Sequence, residues 1–477
     1  MTSVTALMAE FFSELELADV PDRVVHEAKR VVVDTLACLF AGADSEIGPV
    51  ARGAAKLFGS GNAVQIAGEP GRSSLLAGVY ANGRLANALD FDETFPVGAH
   101  FGVGAVAAAL GMAQAYRLTG REFLNCVVAG YELGGRVASY LGPVANIVDG
   151  RVTGFPDVWG VAAPVVMAAA GAAARARGFD AALFAQAIGL AASNAPLPVG
   201  AKWSSAIDLP NCKYCDAGWC AVTGVFGALS AEHGSTGFTQ ILDGPDGLAR
   251  MYGGSTDEQW LSKGLGVQWM LDDVAYKPWP TCRFTHYPLT ALERILSERA
   301  IAPEAIEEVI VETGPLAASE RFTNPSPRTF AARQFSYPHM VAMRILSVPA
   351  GPRWLAAEMV QHPQAEDLKR KIRIEPHSRG HEFAASFVRN QIRTMPGGMR
   401  IKAKGRWYRA ESDFALGDPW DEQTRFTDER LFAKARNLIG ETKANLLIDR
   451  VMKLDRASDL DALFDVLAAQ ARETADA

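Results

Sequence analysis

The sequence predicts a mainly α protein: a large all-helical N-terminal part, an α+β segment after it, and helices again at the C-terminus. Three textures carry this prediction. From Thr5 to about Gly264 apolar residues recur at helical spacing nearly throughout. After Leu271 short alternating segments appear, and from Asp428 the helical pattern returns. The chain has 477 residues, enough for two or three packed units. The boundaries fall at 1–270 for the first helical part, 271–415 for the α+β part and 416–477 for the last helices.

The opening MTSVTALMAEFFSELELAD has no basic leader and carries Glu10 and Glu14 among its apolar residues, so it reads as an amphipathic helix and not a signal peptide. In the next helix Val24, Ala28, Val31, Val32, Thr35, Leu36 and Leu39 share one face, with Arg23, Glu27 and Arg30 on the other. Pro21 marks its entry. Further helices are expected over 103–118, 122–138, 160–177, 181–193 and 217–233, with Gly42, Gly178 and Gly234 ending helical runs. Strands are expected over 306–313, 371–375 and 400–404, with helices over 289–299 and 338–346 between them. The C-terminal helices are expected over 433–439, 442–451 and 457–471.

Composition narrows the function. Hydrophobic residues make up 49% and charged residues 21%, as in a soluble globular protein. A formal net charge of −7 argues against a nucleic-acid partner. The apolar runs at 101–116 and 159–174 are short and rich in Ala and Gly, so they read as core helices; no membrane partner is expected, and the cytoplasm is the expected compartment. Six cysteines fit reduced thiols. Cys212 and Cys215 have CxxC spacing but no second pair to close a zinc site. His377 and His381 lie in a segment broken by Pro376 and Gly380, which suits a turn. No metal is expected.

The densest chemistry runs from Asn87 to His100, where Asp90, Asp92, Glu93, Thr94 and His100 lie between two Ala/Gly-rich segments. Charge inside such packing must be paired, solvated or employed. A histidine beside carboxylates makes a proton-transfer pair near neutral pH. The alternative is a helix end at which Asp92 or Thr94 caps the next segment.

The same stretch resembles the signature of the MmgE/PrpD family, which reads like LDFDDT followed six residues later by His. The likeness continues in order through VPDRVVHEAKRVVVDTLACLFAG (Val20 to Gly42), GYELGGRVA (Gly130 to Ala138), the segment around Lys213, KPWPTCRFTH (Lys277 to His286) and QFSYPHMVA (Gln334 to Ala342). The resemblance implies that the C-terminal helices return to the helical domain, leaving the α+β part as an inserted lid, and that the chain forms a homodimer. It implies reactions without an iron–sulfur cluster, nicotinamide or other cofactor, in which a proton leaves or joins a carbon next to a carboxylate of a small polycarboxylate. Fixed cations and positioned acids and bases are then required.

On that basis Asp90, His100 and Lys213 are the candidate catalytic residues, and Thr94, Lys277, Arg283, His286 and His339 the candidate substrate-binding residues. Lys213 stands before an apolar helix, where the helix dipole disfavours a cation, so an anion partner is expected over a solvated loop position. Pro278 and Pro280 stiffen the segment that carries Lys277 and Arg283, and Arg283 can grip a carboxylate with two hydrogen bonds. His286 is a substrate ligand or a packing histidine. His339 stands where many relatives have tyrosine, and Thr94 hydrogen-bonds substrate or caps. Three departures limit the transfer: Pro156, Asp216 and Cys282 stand where relatives carry histidines. The expected function is a cofactor-independent lyase of the hydro-lyase type. The runner-up is an epimerase of an iminodisuccinate-like dicarboxylate; a decarboxylase or a catalytically silent member follows.

Overall fold

The computed structural model describes residues 3–253, 257–382 and 387–473. Helix accounts for 55% of it and strand for 10%, a mainly α fold. The helix Asp22–Ala43 runs through the centre of the helical part and is buried continuously from Ala28 onward. Its apolar face behaves as the periodicity predicts. Part of the polar side is buried as well, because the C-terminal helices cover it: Arg30 bonds Asp428 at 2.9 Å, and Lys29 bonds Asp455 at 2.5 Å, while Arg23 stays exposed. Ion pairing satisfies charges that the sequence alone assigns to the surface.

The remaining helices of this part include Leu75–Ala86, Gly102–Tyr116, Gly120–Leu141, Ala162–Ala176, Ala181–Ser193 and Ala217–Glu232. Gly178 and Gly234 follow helices with φ of +63° and +90°, the left-handed geometry expected after a helix end. Gly42 is different. It lies inside the Asp22–Ala43 helix, and a Cβ there would sit 2.0 Å from the carbonyl oxygen of Leu85. Its role is close helix approach, not termination.

After the Lys277 segment comes a four-stranded sheet in the order Ile372–Pro376, Ile306–Thr313, Gly397–Ala403, Arg406–Ser412. The first pair is parallel, with Val309 opposite Ile372; the other two are antiparallel, with Val311 opposite Met399 and Ile401 opposite Tyr408. The helix His286–Glu298 packs across it. The fourth strand was absent from the sequence-based elements: its arginines and glutamate break the apolar alternation, as an edge strand's can. A hairpin of Asn146–Val148 and Arg151–Gly154 was likewise not predicted. Among the described residues no helix is long and apolar enough to cross a membrane.

The helix Asp428–Ile439 packs against Asp22–Ala43. Lys434 Nζ is buried there, 2.6 Å from Asp34 Oδ1 and 2.5 Å from the carbonyl oxygen of Phe91. Replacing Lys434 by Met strands the Asp34 carboxylate, so urea unfolding is expected to show a loss of about 3–5 kcal/mol. Adding Asp34→Leu should recover most of that loss; a double variant as unstable as the single would refute the pairing.

Candidate active site

The site begins where the helix Leu75–Ala86 stops. Asn87 closes that helix, and the chain passes through Asp90 at φ +53°. Facing it, the helix Ala217–Glu232 starts at Asp216, whose Oδ1 accepts the amides of Gly218 and Trp219 at 3.0 and 3.2 Å. The other oxygen of Asp216 receives Arg84 and the Tyr80 hydroxyl, so one carboxylate ties the two helices together. A Cβ on Gly218 would lie 2.2 Å from the Tyr80 carbonyl oxygen, so the glycine permits this approach. Lys213, at φ +54°, is thereby held against the end of the first helix. Asp90 and Lys213 both occupy the left-handed region; for lysine this is unusual, and such strain clusters at functional sites.

Asp90 is the centre of the cluster. Its Oδ2 lies 2.9 Å from Lys277 Nζ and its Oδ1 3.3 Å from Lys213 Nζ, with the Tyr214 hydroxyl donating to Oδ1 at 3.4 Å. Lys277 Nζ also donates to the Asp90 carbonyl oxygen at 2.9 Å, and Lys213 Nζ to that of Asn87 at 2.6 Å. Burial opposes the charge on Asp90, but Lys213, Lys277 and His100 outweigh it and hold the carboxyl well below its ordinary range. Burial pushes Lys213 below the ordinary lysine value, with Asp90 and Asp92 acting against it.

His100 stands beside this pair. Its Nδ1 is 2.7 Å from the carbonyl oxygen of Glu93 and 3.3 Å from Asp92 Oδ2. The carbonyl can only accept, so Nδ1 carries a hydrogen, and in the neutral ring it is Nε2 that presents the lone pair. Nε2 lies 3.4 Å from Lys277 Nζ and 3.8 Å from Asp90 Oδ1. Asp92 and the Glu93 carbonyl therefore fix the ring, with Asp90 farther away. Asn87 Nδ2 donates to both oxygens of Asp92 at 3.1 Å. Burial resists the Asp92 charge too, and His100 overcomes it, leaving the carboxyl below its usual value. An imidazole and two lysine amino groups around one carboxylate form a set that can move a proton and stabilise a developing anion.

The other candidates lie elsewhere or face other partners. Thr94 Oγ1 donates to the Ala99 carbonyl at 3.4 Å, while its backbone pairs with Ala275 and joins the signature loop to the Lys277 segment. Arg283 is buried against Asp418 and donates to the Tyr287 hydroxyl at 3.1 Å, so its charge is paired with a carboxylate, while its Nη1 has no hydrogen-bond partner among the described residues. His286 Nε2 bonds the Thr281 carbonyl at 3.1 Å; burial, then Lys277 and Arg283, hold it well below the ordinary histidine value and hence neutral. His339 is farther off, its Nε2 2.6 Å from the Trp354 carbonyl, and burial takes it down to about 4. Asp216 serves as the helix cap described above. Cys282 is pushed up to about 12 by burial and Asp90.

The structure thus brings together Asp90, His100, Lys213 and Lys277, and adds Asn87, Asp92 and Tyr214, which the sequence-based selection omits. Asp92 and Asn87 lay inside the signature itself, and Tyr214 adjoined Lys213. Their signal was proximity in sequence, without a spacing that separates orienting groups from reacting ones. The α+β part and the loop also touch: Gln334 Nε2 donates to the Ala88 carbonyl at 2.9 Å. Among the described residues no three His, Cys, Asp or Glu side chains converge to hold a metal ion.

The family model described as the MmgE/PrpD N-terminal domain matches residues 6–261, and that of the MmgE/PrpD C-terminal domain matches 279–454. The chain belongs to the MmgE/PrpD family, whose members are dehydratase- and decarboxylase-type enzymes, and its function at that level is lyase-like. It is similar to cis-aconitate decarboxylase of Homo sapiens, 24% identical across 79% of this chain and 77% of that protein. It is also similar to cis-aconitate decarboxylase of Aspergillus terreus, 23% identical across 98% of this chain and 96% of that one.

Glu93 gives a measurable pH signature. Its Oε1 accepts the Gly102 amide at 2.7 Å and Oε2 meets the Tyr131 hydroxyl at 2.9 Å. Burial, then Asp92, raises it to about 8 from an ordinary 4.5. The folded state therefore holds this proton more tightly than the unfolded chain does. The resulting stability is full below about 4.5 and is lost as pH rises through about 8. Glu93→Gln should flatten the pH dependence of the thermal midpoint over that window; an unchanged slope would place the titration elsewhere.

Proposed function

We propose that the chain is a cofactor-independent lyase of the hydro-lyase type that removes a proton next to a carboxylate in a small di- or tricarboxylate. The observation that carries this is the Asp90 carboxylate held between two buried lysines, with His100 Nε2 3.4 Å from the Lys277 ammonium. A substrate carboxylate takes the place that the Asp90 carboxylate holds against Lys277 and Lys213. Lys277 then neutralises the enediolate-like charge, and His100 and Lys213 exchange protons with the carbon and the leaving group. All three are buried, so the substrate enters when lid and body separate. The names of the similar proteins favour decarboxylation as the second reading, while Pro156, Asp216 and Cys282 in place of histidines weigh against it. Epimerisation needs two bases, which His100 and Lys213 supply.

We also propose a homodimer. Trp219 and Phe226 lie seven residues apart on the helix Ala217–Glu232 and are 50% and 60% exposed, an apolar pair suited to a second copy. Sedimentation of a monomer at micromolar concentration would refute it.

The deciding experiment incubates the protein with hydroxy-di- and tricarboxylates in deuterated water. Loss of water from the substrate supports the lyase reading. Deuterium at the α carbon without net change supports epimerisation, release of carbon dioxide supports decarboxylation, and no exchange with any compound supports a silent member.

His100→Ala should lower turnover by about two to four orders of magnitude with the fold intact. Lys277→Met should mainly raise KM, whereas Lys213→Met should also lower kcat, and binding should weaken as salt rises. Variants that bind like the parent, with no salt dependence, would remove polycarboxylates from consideration.

A further inference from the structure

Arg321 is a buried cation without a counter-ion. It belongs to the short helix Glu320–Thr323 and is 2% exposed. The other buried arginines near the site have carboxylates: Arg84 has Asp216 and Arg283 has Asp418. Among the described residues no carboxylate pairs with Arg321. Its guanidinium donates instead to the carbonyls of Trp203, Ser204 at 2.9 Å and Ala206 at 3.1 Å, and it lies 3.7 Å over the Trp203 ring. Its Nη1 has no partner, and neither do the indole nitrogens of Trp159 and Trp203 or the hydroxyl of Ser204. Buried arginine is ordinarily paired, and buried donors are ordinarily satisfied. An uncompensated guanidinium over Trp203, with further unsatisfied donors on Trp203, its neighbour Ser204 and the adjoining Trp159, matches an anion.

The position of this cation relates it to the Asp90 cluster. Trp203 stacks on Trp159 at 4.3 Å, Trp159 on Tyr214 at 6.3 Å, and Tyr214 on His100 at 6.2 Å. A continuous row of rings therefore joins the guanidinium to the imidazole. Cys282 bridges the two ends by a second path, its thiol having Asp90, Lys277 and Arg321 among its charged neighbours. Trp159 and Trp203 belong to the N-terminal helical part and Arg321 to the part that follows Lys277, so the row joins the two parts of the chain.

We propose that Arg321, with the Trp159–Trp203 pair, anchors a second carboxylate of the substrate, so that the site takes dicarboxylates whose acid groups are separated by an apolar segment. This rests on the reading of the Asp90 cluster as a carboxylate site. The chemistry follows from the three parts: cations at one end, a cation at the other, and aromatic faces between. A compact tricarboxylate would set charged groups against the rings, where they lose water without gaining partners. A hydrocarbon stretch buries there favourably while each end finds a charge-assisted hydrogen bond. Arg321 is thus a specificity determinant, distant from the reacting carbon.

Calorimetric titration of the full chain with paired probes tests this. Hexanedioate is compared with hexanoate, and octanedioate with octanoate. The dicarboxylate of each pair should bind about tenfold or more tightly than its monocarboxylate. Arg321→Gln should abolish that difference while leaving monocarboxylate binding unchanged, and Arg321→Lys should restore part of it. Lys277→Met should weaken both classes. Equal affinity within each pair in the parent overturns the Arg321 anchor, and this comparison stands even if Arg321→Gln does not fold. Binding that depends on Lys277 but is blind to Arg321 overturns the anchor alone. Failure of both classes to bind overturns the anchor together with the carboxylate site.

Discussion

The carboxylate of Asp90 is the interaction on which the rest of the site depends. Two ammonium groups from distant parts of the chain converge on its two oxygens, Lys213 from the start of a body helix and Lys277 from the segment that leads into the lid. Two lysines could not be buried this close without it, because their repulsion in a water-poor interior would release a proton from one of them. Asp90 therefore supplies the negative charge that both buried lysines face.

Much of the machinery around Asp90 serves to hold geometry. Asp216 joins two helices, Asp92 and the Glu93 carbonyl set the imidazole, and the Thr94 backbone joins the signature loop to the Lys277 segment. Asp92 and the Glu93 carbonyl hold the His100 ring directly, whereas Asp216 and Thr94 act through the backbone segments they join. Such support matters because acid–base chemistry falls off steeply when donor and acceptor drift by an ångström.

The fold was legible in the sequence where one signal dominated. The helix Ala181–Ser193 and the strand Ile306–Thr313 sit where periodicity placed them, because apolar spacing decides elements with one buried face. Legibility failed where tertiary contact overrode local pattern. Gly42 has the look of a helix end but is a contact point, and Arg30 has the look of a surface residue but is enclosed by helices far along the chain. In the site, the signature and the two lysine segments named the four residues that converge. The choice among cations was less visible: Arg283 and Arg321 look alike in sequence, and only their partners, a carboxylate for one and carbonyls for the other, separate them.

The contact of Lys434 with Asp34 and the Phe91 carbonyl carries a consequence for biosynthesis. The partners are 400 and 343 residues apart in the chain. During translation the signature loop emerges long before the lysine that pins its backbone, so the helical half waits, with a buried acid unmatched, while the lid is made. Contacts of such long range slow folding, and the half-made molecule exposes apolar helix faces meanwhile. Completion of the signature loop is therefore one of the last events in the birth of this protein, and a ribosome stalled before Lys434 would release a chain that has the whole signature but lacks the lysine that pins its backbone at Phe91.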